Sequence, residues 1–321
     1  MVANEHILIT GANGFVGQHL SEALLCRGNK VSRIVRSNLP KKHGAGIYHI
    51  LDLTNAAKVT EVFSSLQPDY VIHLAGSKNR TDDIKQFSAT YDENLLMSLN
   101  VIDGCRTIKN FKRLIFLGTC DEYGQAPTPY LESQKELPVG AYGLSKCAVT
   151  QMLSCLFRSH RFPSVVLRPS VIFGPGQGCE MFLSALIQSL LVGRDFAMTA
   201  GEQRRDFIYI NDVVGAIIQA VSADERVNGA VVNIGAGVSY QIKTVASIVA
   251  NSINSDVNGF IKFGAVPYRS NDIMNYSVDI SRAKELLGWC PSTTLEDGVQ
   301  KTVDFFKFSS MNSPIQNNSH A

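Results

Sequence analysis

Apolar residues recur along this chain in short continuous runs, and between the runs they fall at helical spacing. Residues 6–9 read as a buried strand, followed by an amphipathic stretch through Leu20, Ala23, Leu24 and Leu25. Strands are expected at 30–35, 47–51, 70–74 and 113–117, with a sixth ended by Gly174-Pro175-Gly176. Helices are expected over about 55–66, closed by Pro68, and over 84–109, 142–158, 180–191 and 295–308. Strand and helix alternate, which predicts an α/β chain built on a doubly wound parallel sheet. The polar residues 309–321 are expected to be a disordered tail.

The first turn carries chemistry. Thr10-Gly11-Ala12-Asn13-Gly14-Phe15-Val16-Gly17 joins a strand to a helix. Gly11 allows the sharp turn, Gly14 lets backbone approach a pyrophosphate, and Gly17 lets the helix pack close to the strand. The helix N-terminus then offers N–H groups to phosphates. Asn13, Phe15 and Val16 belong to the same cradle. At the end of the fourth strand, Leu74-Ala75-Gly76 leaves room for a cofactor in the crevice where open α/β sheets bind ligands.

A dinucleotide unit that prefers NAD usually ends its second strand with an acid on the ribose hydroxyls. No acid occurs between Glu22 and Asp52, whereas Arg33 and Arg36 flank that place. Guanidinium groups suit a 2′-phosphate, so NADP(H) is the expected cofactor. Lys41 and Lys42 are read as a solvated basic edge.

Composition narrows the class. The chain has 321 residues, 45% hydrophobic and 18% charged, with a net charge of +2. A sizeable core is expected, and neither nucleic acid nor an anionic membrane as main partner. No apolar run reaches transmembrane length, and no signal-peptide pattern opens the chain. The seven cysteines are scattered and lack a C-x-x-C pair, which suits reduced cytoplasmic thiols and gives no expectation of a metal.

Tyr142 and Lys146 lie four apart at the start of a helix, one turn from each other on one face. A nearby ammonium stabilises a phenolate and so makes the hydroxyl a better acid. Thr119 sits on the loop leaving the fifth strand.

With T-G-x-x-G-F-V-G and Y-x-x-x-K in place, the chain resembles the extended short-chain dehydrogenase/reductases, a superfamily of nucleotide-sugar epimerases, dehydratases and reductases. The likeness continues through Leu167-Arg168-Pro169-Ser170-Val171 to Gly176, Gln203-Arg204-Arg205-Asp206-Phe207, Asn233-Ile234-Gly235-Ala236-Gly237 and Leu287-Gly288-Trp289. It implies a Rossmann-type domain over 1–172, with a strand and helix returning around 206–235, a substrate-binding region over 173–308, and a homodimer pairing through the helices at 84–109 and 141–158. It also implies a catalytic set of Thr119, Tyr142 and Lys146. Asn94 falls at a structural or relay position. Asp52 and Leu53 fall where the family meets adenine, and Pro169 and Val171 beside the cofactor. Arg205 resembles a phosphate clamp. Phe263 to Asp272 resembles the family's R-P-x-E segment, with Arg269 on phosphate and Asp272 on the nucleoside ribose.

Thr119-Cys120-Asp121 stands where the family's dehydratases carry T-D-E or T-S-E, and Cys120 and Asp121 are expected to face substrate. Cys120 replaces an acid, and Asp121 is one methylene shorter than the glutamate. The stretch Gly118 to Gly124 is more similar to the G-S-S-E-E-Y-G of GDP-4-dehydro-6-deoxymannose reductases. The resemblance therefore implies an NADPH-dependent reductase of a nucleotide-linked 4-keto-6-deoxysugar. A 4-epimerase or a 4,6-dehydratase on the same frame is the alternative, and a non-catalytic NADP(H)-binding sensor or scaffold is a further one.

Overall fold

Both faces of the central sheet are covered, which is why its strands read as continuous apolar runs. The computed structural model describes residues 4–37, 46–77, 84–269 and 272–312. Its elements are, in order, β1 (His6–Thr10), α1 (Phe15–Leu25), β2 (Lys30–Val35), β3 (Ile47–Ile50), α2 (Ala56–Leu66), β4 (Tyr70–His73), α3 (Ile84–Cys105), β5 (Arg113–Leu117), α4 (Ala141–His160) and β6 (Ser164–Pro169). There follow β7 (Val171–Phe173), α5 (Phe182–Leu191), β8 (Phe196–Ala197), β9 (Arg204–Tyr209), α6 (Ile210–Ser222), β10 (Val231–Ile234), β11 (Ser239–Gln241), α7 (Ile242–Ile253), β12 (Ile261–Lys262), α8 (Ser281–Leu287) and α9 (Leu295–Asn312).

Seven strands form one parallel sheet in the order β10-β6-β5-β4-β1-β2-β3. Side chains alternate between its faces. Ile7, Ile9, Ile72, Ile115 and Leu167 enter the core shared with α1 and α6. Leu8, Val71, Leu114, Phe116 and Val166 enter the core shared with α2, α3 and α4. This is the doubly wound sheet the pattern predicts.

The sixth strand differs from its expectation. The chain leaves the large sheet at Ser170 and continues as β7 in a second sheet of order β11-β9-β7. A buried carboxylate fixes the crossing: Asp206 accepts from Ser170 Oγ at 2.9 Å and from the amides of Ala236 and Gly237 at 2.8 and 3.0 Å. Burial pushes its pKa up to about 6, against the pull of those hydrogen bonds. The strand expected to return near 206 therefore belongs to the second sheet, whereas α6 and β10 return to the large one. Helix α9 runs to Asn312, past the expected start of the tail, and residues 313–321 lie outside the described residues, as do Lys41 and Lys42. Among the described residues no helix is long and apolar enough to cross a membrane.

His73 is buried at the end of β4, between Thr10 Oγ1 at 2.7 Å and Ser98 Oγ at 3.1 Å. Desolvation, and then the charge of Lys146, hold its pKa down to about 3 from 6.5. Between those values the unfolded chain takes up a proton that the native ring refuses, so stability falls as pH drops through that window, by about 1.4 kcal/mol per pH unit. His73→Gln should therefore show a shallower loss of urea stability than wild type between pH 6.5 and 4. Equal slopes would remove His73 from the account.

Candidate active site

The β1–α1 turn is built by close approach. Gly11 has φ +68°, and a Cβ there would lie 2.8 Å from the Ala75 amide nitrogen. At Gly17 it would lie 2.4 Å from the Gly11 carbonyl oxygen. Gly14 is the N-cap of α1, with no side-chain cap hydrogen bond. The first helical N–H groups have no intrahelical partner, so amides and positive dipole end face the crevice beside Ala75 and Gly76. These are the properties that a pyrophosphate needs, and the residues present fit a dinucleotide. Asn13 gives its carbonyl to Gln18 Nε2 at 2.8 Å, which steadies the turn.

The two arginines expected at the adenosine ribose part company. Arg33 is buried within β2; its guanidinium lies 4.9 Å from the Tyr48 ring centre and donates to the Tyr48 hydroxyl. It is occupied inside the fold, because β3 places an aromatic acceptor beside it. Arg36, just past β2, is exposed and bonds Glu93 of α3 at 2.8 Å. Such surface pairs contribute little to stability. Asp52 is exposed and binds Thr54 N and Oγ1 at 3.0 and 2.8 Å, which holds its pKa below the usual range. Leu53 is buried, with its carbonyl accepting from Asn100.

Gly76, Asn94 and Lys146 come together: a Cβ on Gly76 would lie 3.3 Å from Lys146 Nζ and 3.4 Å from Asn94 Oδ1. Asn94 accepts from the Ser77 amide at 2.6 Å and donates to Ser145 Oγ at 2.9 Å. Ser145 in turn bonds the Tyr142 carbonyl at 2.9 Å. Lys146 is buried, 2.9 Å from the Leu117 carbonyl and 4.6 Å from the Phe116 ring centre. The start of α4 is thereby locked to α3 and β5. Pro169 and Val171 flank the crossing at Ser170.

Thr119 caps a single 3₁₀ turn, Cys120–Glu122, accepting from the Asp121 amide at 3.2 Å. Gly143, next to Tyr142, packs directly on this turn; a Cβ there would lie 2.6 Å from the Asp121 carbonyl oxygen. So the structure brings Thr119 and the Tyr142 end of α4 side by side. Cys120 corrects an expectation. It is fully buried with Tyr123, Tyr130 and Tyr276, its thiol donates to the Arg168 carbonyl at 3.1 Å, and burial pushes its pKa up. It belongs to the core and not to a substrate surface, because the tight turn points residues 120 and 123 inward.

Asp121 accepts from the Tyr276 hydroxyl at 3.2 Å. Arg205, on β9, lies 5.9 Å from the Tyr276 ring centre and bonds Asp272 at 3.0 Å. Arg269 is exposed nearby, its carbonyl accepting from the Asp272 amide. Beside Arg205 a cleft of about 250 Å³ opens, lined by Phe173, Gln177, Met181, Leu183, Gln203 and Phe207, with α5 along it. The cleft does not contain Thr119, Tyr142 or Lys146.

Sequence reasoning missed Tyr276, Ser145, Glu122, Glu136 and Arg168. Arg168 is fully buried, with Glu122 and Glu136 each 2.7 Å from its guanidinium. Desolvation opposes its charge, yet the two carboxylates and Tyr123 hold it protonated, while burial pushes the Glu122 pKa up. A charged residue directly after the apolar run Val165–Leu167, within the same strand, was the available signal, since such a residue needs a buried partner.

Known proteins agree with this architecture. The model of the NAD dependent epimerase/dehydratase family matches residues 7–235. The chain is 28% identical to dTDP-6-deoxy-L-talose 4-dehydrogenase (NAD(P)(+)) of Kitasatospora kifunensis, covering 93% of this chain and 95% of that one. It is 25% identical to dTDP-glucose 4,6-dehydratase of Neisseria gonorrhoeae, covering 94% and 95%. The UDP-N-acetylglucosamine 4-epimerase structure from Methanobrevibacter ruminantium superposes with a TM-score of 0.87 at 26% identity, covering 96% of this chain and all of that one. The chain belongs to the NAD dependent epimerase/dehydratase family, and is an enzyme of the extended short-chain dehydrogenase/reductase type.

Proposed function

We propose that this enzyme is an NADPH-dependent reductase of a nucleotide-linked 4-keto-6-deoxysugar. The observation that carries the reading is the turn at Thr119-Cys120-Asp121. A dehydratase needs a second acid-base pair here, but Cys120 is buried and the Asp121 carboxylate is bonded to Tyr276. Thr119, Tyr142 and Lys146 suffice for a single carbonyl reduction. The relative of Kitasatospora kifunensis, named as a dTDP-6-deoxy-L-talose 4-dehydrogenase, supports the substrate class.

A reduced nicotinamide, when bound, supplies hydride to the sugar carbonyl carbon. Tyr142 donates its phenolic proton to the carbonyl oxygen. Lys146 stabilises the phenolate left behind and holds the cofactor ribose. Thr119 hydrogen-bonds the same oxygen and fixes its direction. Arg205, Arg269 and Asp272 hold the nucleotide, with its base in the cleft along α5. Arg36 leaves Glu93 to take the 2′-phosphate.

A screen of purified protein with NADPH against GDP-, dTDP-, CDP- and UDP-linked 4-keto-6-deoxysugars tests the class. Mass spectrometry should show the gain of two hydrogens. Loss of water would establish a dehydratase, and an unchanged mass with altered stereochemistry a 4-epimerase, which could use the same three side chains. In single-turnover NADPH oxidation, Tyr142→Phe should cost about a hundredfold or more in rate with KM little moved, and Thr119→Val less. Asp121→Asn should keep most of the rate; near-complete loss would contradict a reductase.

Cofactor choice is tested at Arg36. NADPH should bind about tenfold or more tightly than NADH, and Arg36→Ala should erase much of the difference, since a 2′-phosphate loses its charge-assisted bonds. Equal binding of the two cofactors by wild type removes the NADPH assignment.

The enzyme is proposed to be a homodimer. On α3 and α4, Leu153 is buried and Leu95, Met152 and Leu156 pack against the core, leaving Leu96, Leu99 and Leu144 exposed for a twin helix pair. Light scattering should give about twice the 35.1 kDa chain mass, and Leu96→Glu should halve it; a wild-type monomer at micromolar concentration contradicts the pairing.

A further inference from the structure

We propose that Glu122, Arg168 and Glu136 form a positioning cluster that sets the separation of Thr119 from Tyr142. The proposal rests on the reading of those two residues given above. Glu122 folds back under its own turn. Its Oε1 accepts from the Thr119 amide at 3.0 Å, so the carboxylate fixes the backbone that aims the Thr119 hydroxyl. The fit leaves no slack: a Cβ on Gly118 would lie 2.4 Å from that oxygen. The other oxygen accepts from Arg168 Nε at 2.9 Å and is ion-paired with Nη2 at 2.7 Å.

The same Nη2 reaches Glu136 Oε1 at 2.7 Å. Glu136 lies on the segment that leads into α4, and its second oxygen accepts from Gln151 Nε2, on α4 itself, at 3.1 Å. One guanidinium, anchored on β6 and seated 4.5 Å from the Tyr123 ring centre, therefore holds both sides of the site. It grips the turn that carries Thr119 through Glu122. It grips the helix that carries Tyr142 through Glu136. Between these two, Gly143 rests on the Asp121 carbonyl.

Stability alone does not explain the cluster. A buried ion pair is a poor source of stability compared with apolar side chains of the same volume. What it supplies here is direction, because the N–H donors of a planar guanidinium point in fixed directions and admit only a narrow range of carboxylate positions. None of the three needs to touch substrate. They act through Thr119 and the approach of α4.

Glu136 is the informative position, since it sits at the rim and its removal leaves the buried Glu122–Arg168 pair intact. The measurement is single-turnover NADPH oxidation with the keto-sugar that the screen above identifies, on folded Glu136→Ala, Glu136→Gln, Thr119→Val and the double variant Thr119→Val/Glu136→Ala. Glu136→Ala should slow turnover about tenfold, as misplacement near the chemistry does, with KM within about twofold. Glu136→Gln keeps an acceptor oxygen and should recover most of the rate. The double variant should fall below Thr119→Val by clearly less than the factor that Glu136→Ala costs alone, because part of that factor is the alignment with Thr119 that is already lost.

Rates that multiply in the double variant, or a Glu136→Ala enzyme that matches wild type, overturn the cluster while leaving the site reading in place. A Thr119→Val enzyme at wild-type rate, or no keto-sugar turned over at all, overturns the site reading and the cluster with it.

Discussion

His73 is buried between Thr10 and Ser98, and the bonds that satisfy its ring tie the cofactor side together. Ser98 also bonds the Asn94 carbonyl at 2.8 Å, and Asn94 reaches Ser77 and Ser145. One line of buried polar groups thus runs from the β1 turn through β4 and α3 to the first turn of α4. An unmade bond along it costs the full desolvation of a polar group. The line can be completed only when all four elements are in register. The glycine-rich turn and Lys146 are consequently fixed relative to each other by the same bonds, although they lie far apart in sequence.

The substrate side is held differently. There the anchors are charges, with Asp206 at the crossing between sheets, the Arg205–Asp272 pair at the cleft, and the Arg168 group under the active-site turn. Aromatic rings fill the spaces between them: Tyr123 stacks on Tyr130 at 4.9 Å, and Tyr130 meets Tyr276 edge-on at 5.3 Å. Tyr276 touches both ends of this arrangement, with its hydroxyl on Asp121 and its ring beside Arg205. The turn that carries Thr119 and the cleft beside Arg205 therefore share one side chain.

The strand at 113–117 was legible to the residue, because it is an apolar run entered at a basic residue. The close approaches at Gly11 and Gly17 were legible for a steric reason, since a Cβ at either would overlap neighbouring backbone. Arg33 was not, because its partner Tyr48 lies on a neighbouring strand and only register brings them together. Cys120 was misread for the same kind of reason. Its burial is decided by Tyr130, Tyr276 and Val278, contacts distant in sequence that local spacing does not encode. The split of the sixth strand turns on Ser170, whose carboxylate partner Asp206 is equally remote.

The order of strands has a consequence for how such an enzyme is made and remade. β10 closes the large sheet against β6, yet β7, α5, β9 and α6 are synthesised between them. A chain emerging from the ribosome must therefore carry an open, apolar β6 edge until residue 234 has been added, a condition that favours pairing with the wrong chain. The cleft is also threaded through the sheet and not appended to it. Recombination that exchanges one such cleft for another cannot do so at a single junction; it must cut at Ser170, and again on each side of the α6–β10 segment. Diversification within this architecture is thereby steered toward point substitutions lining the cleft, with the threading left intact.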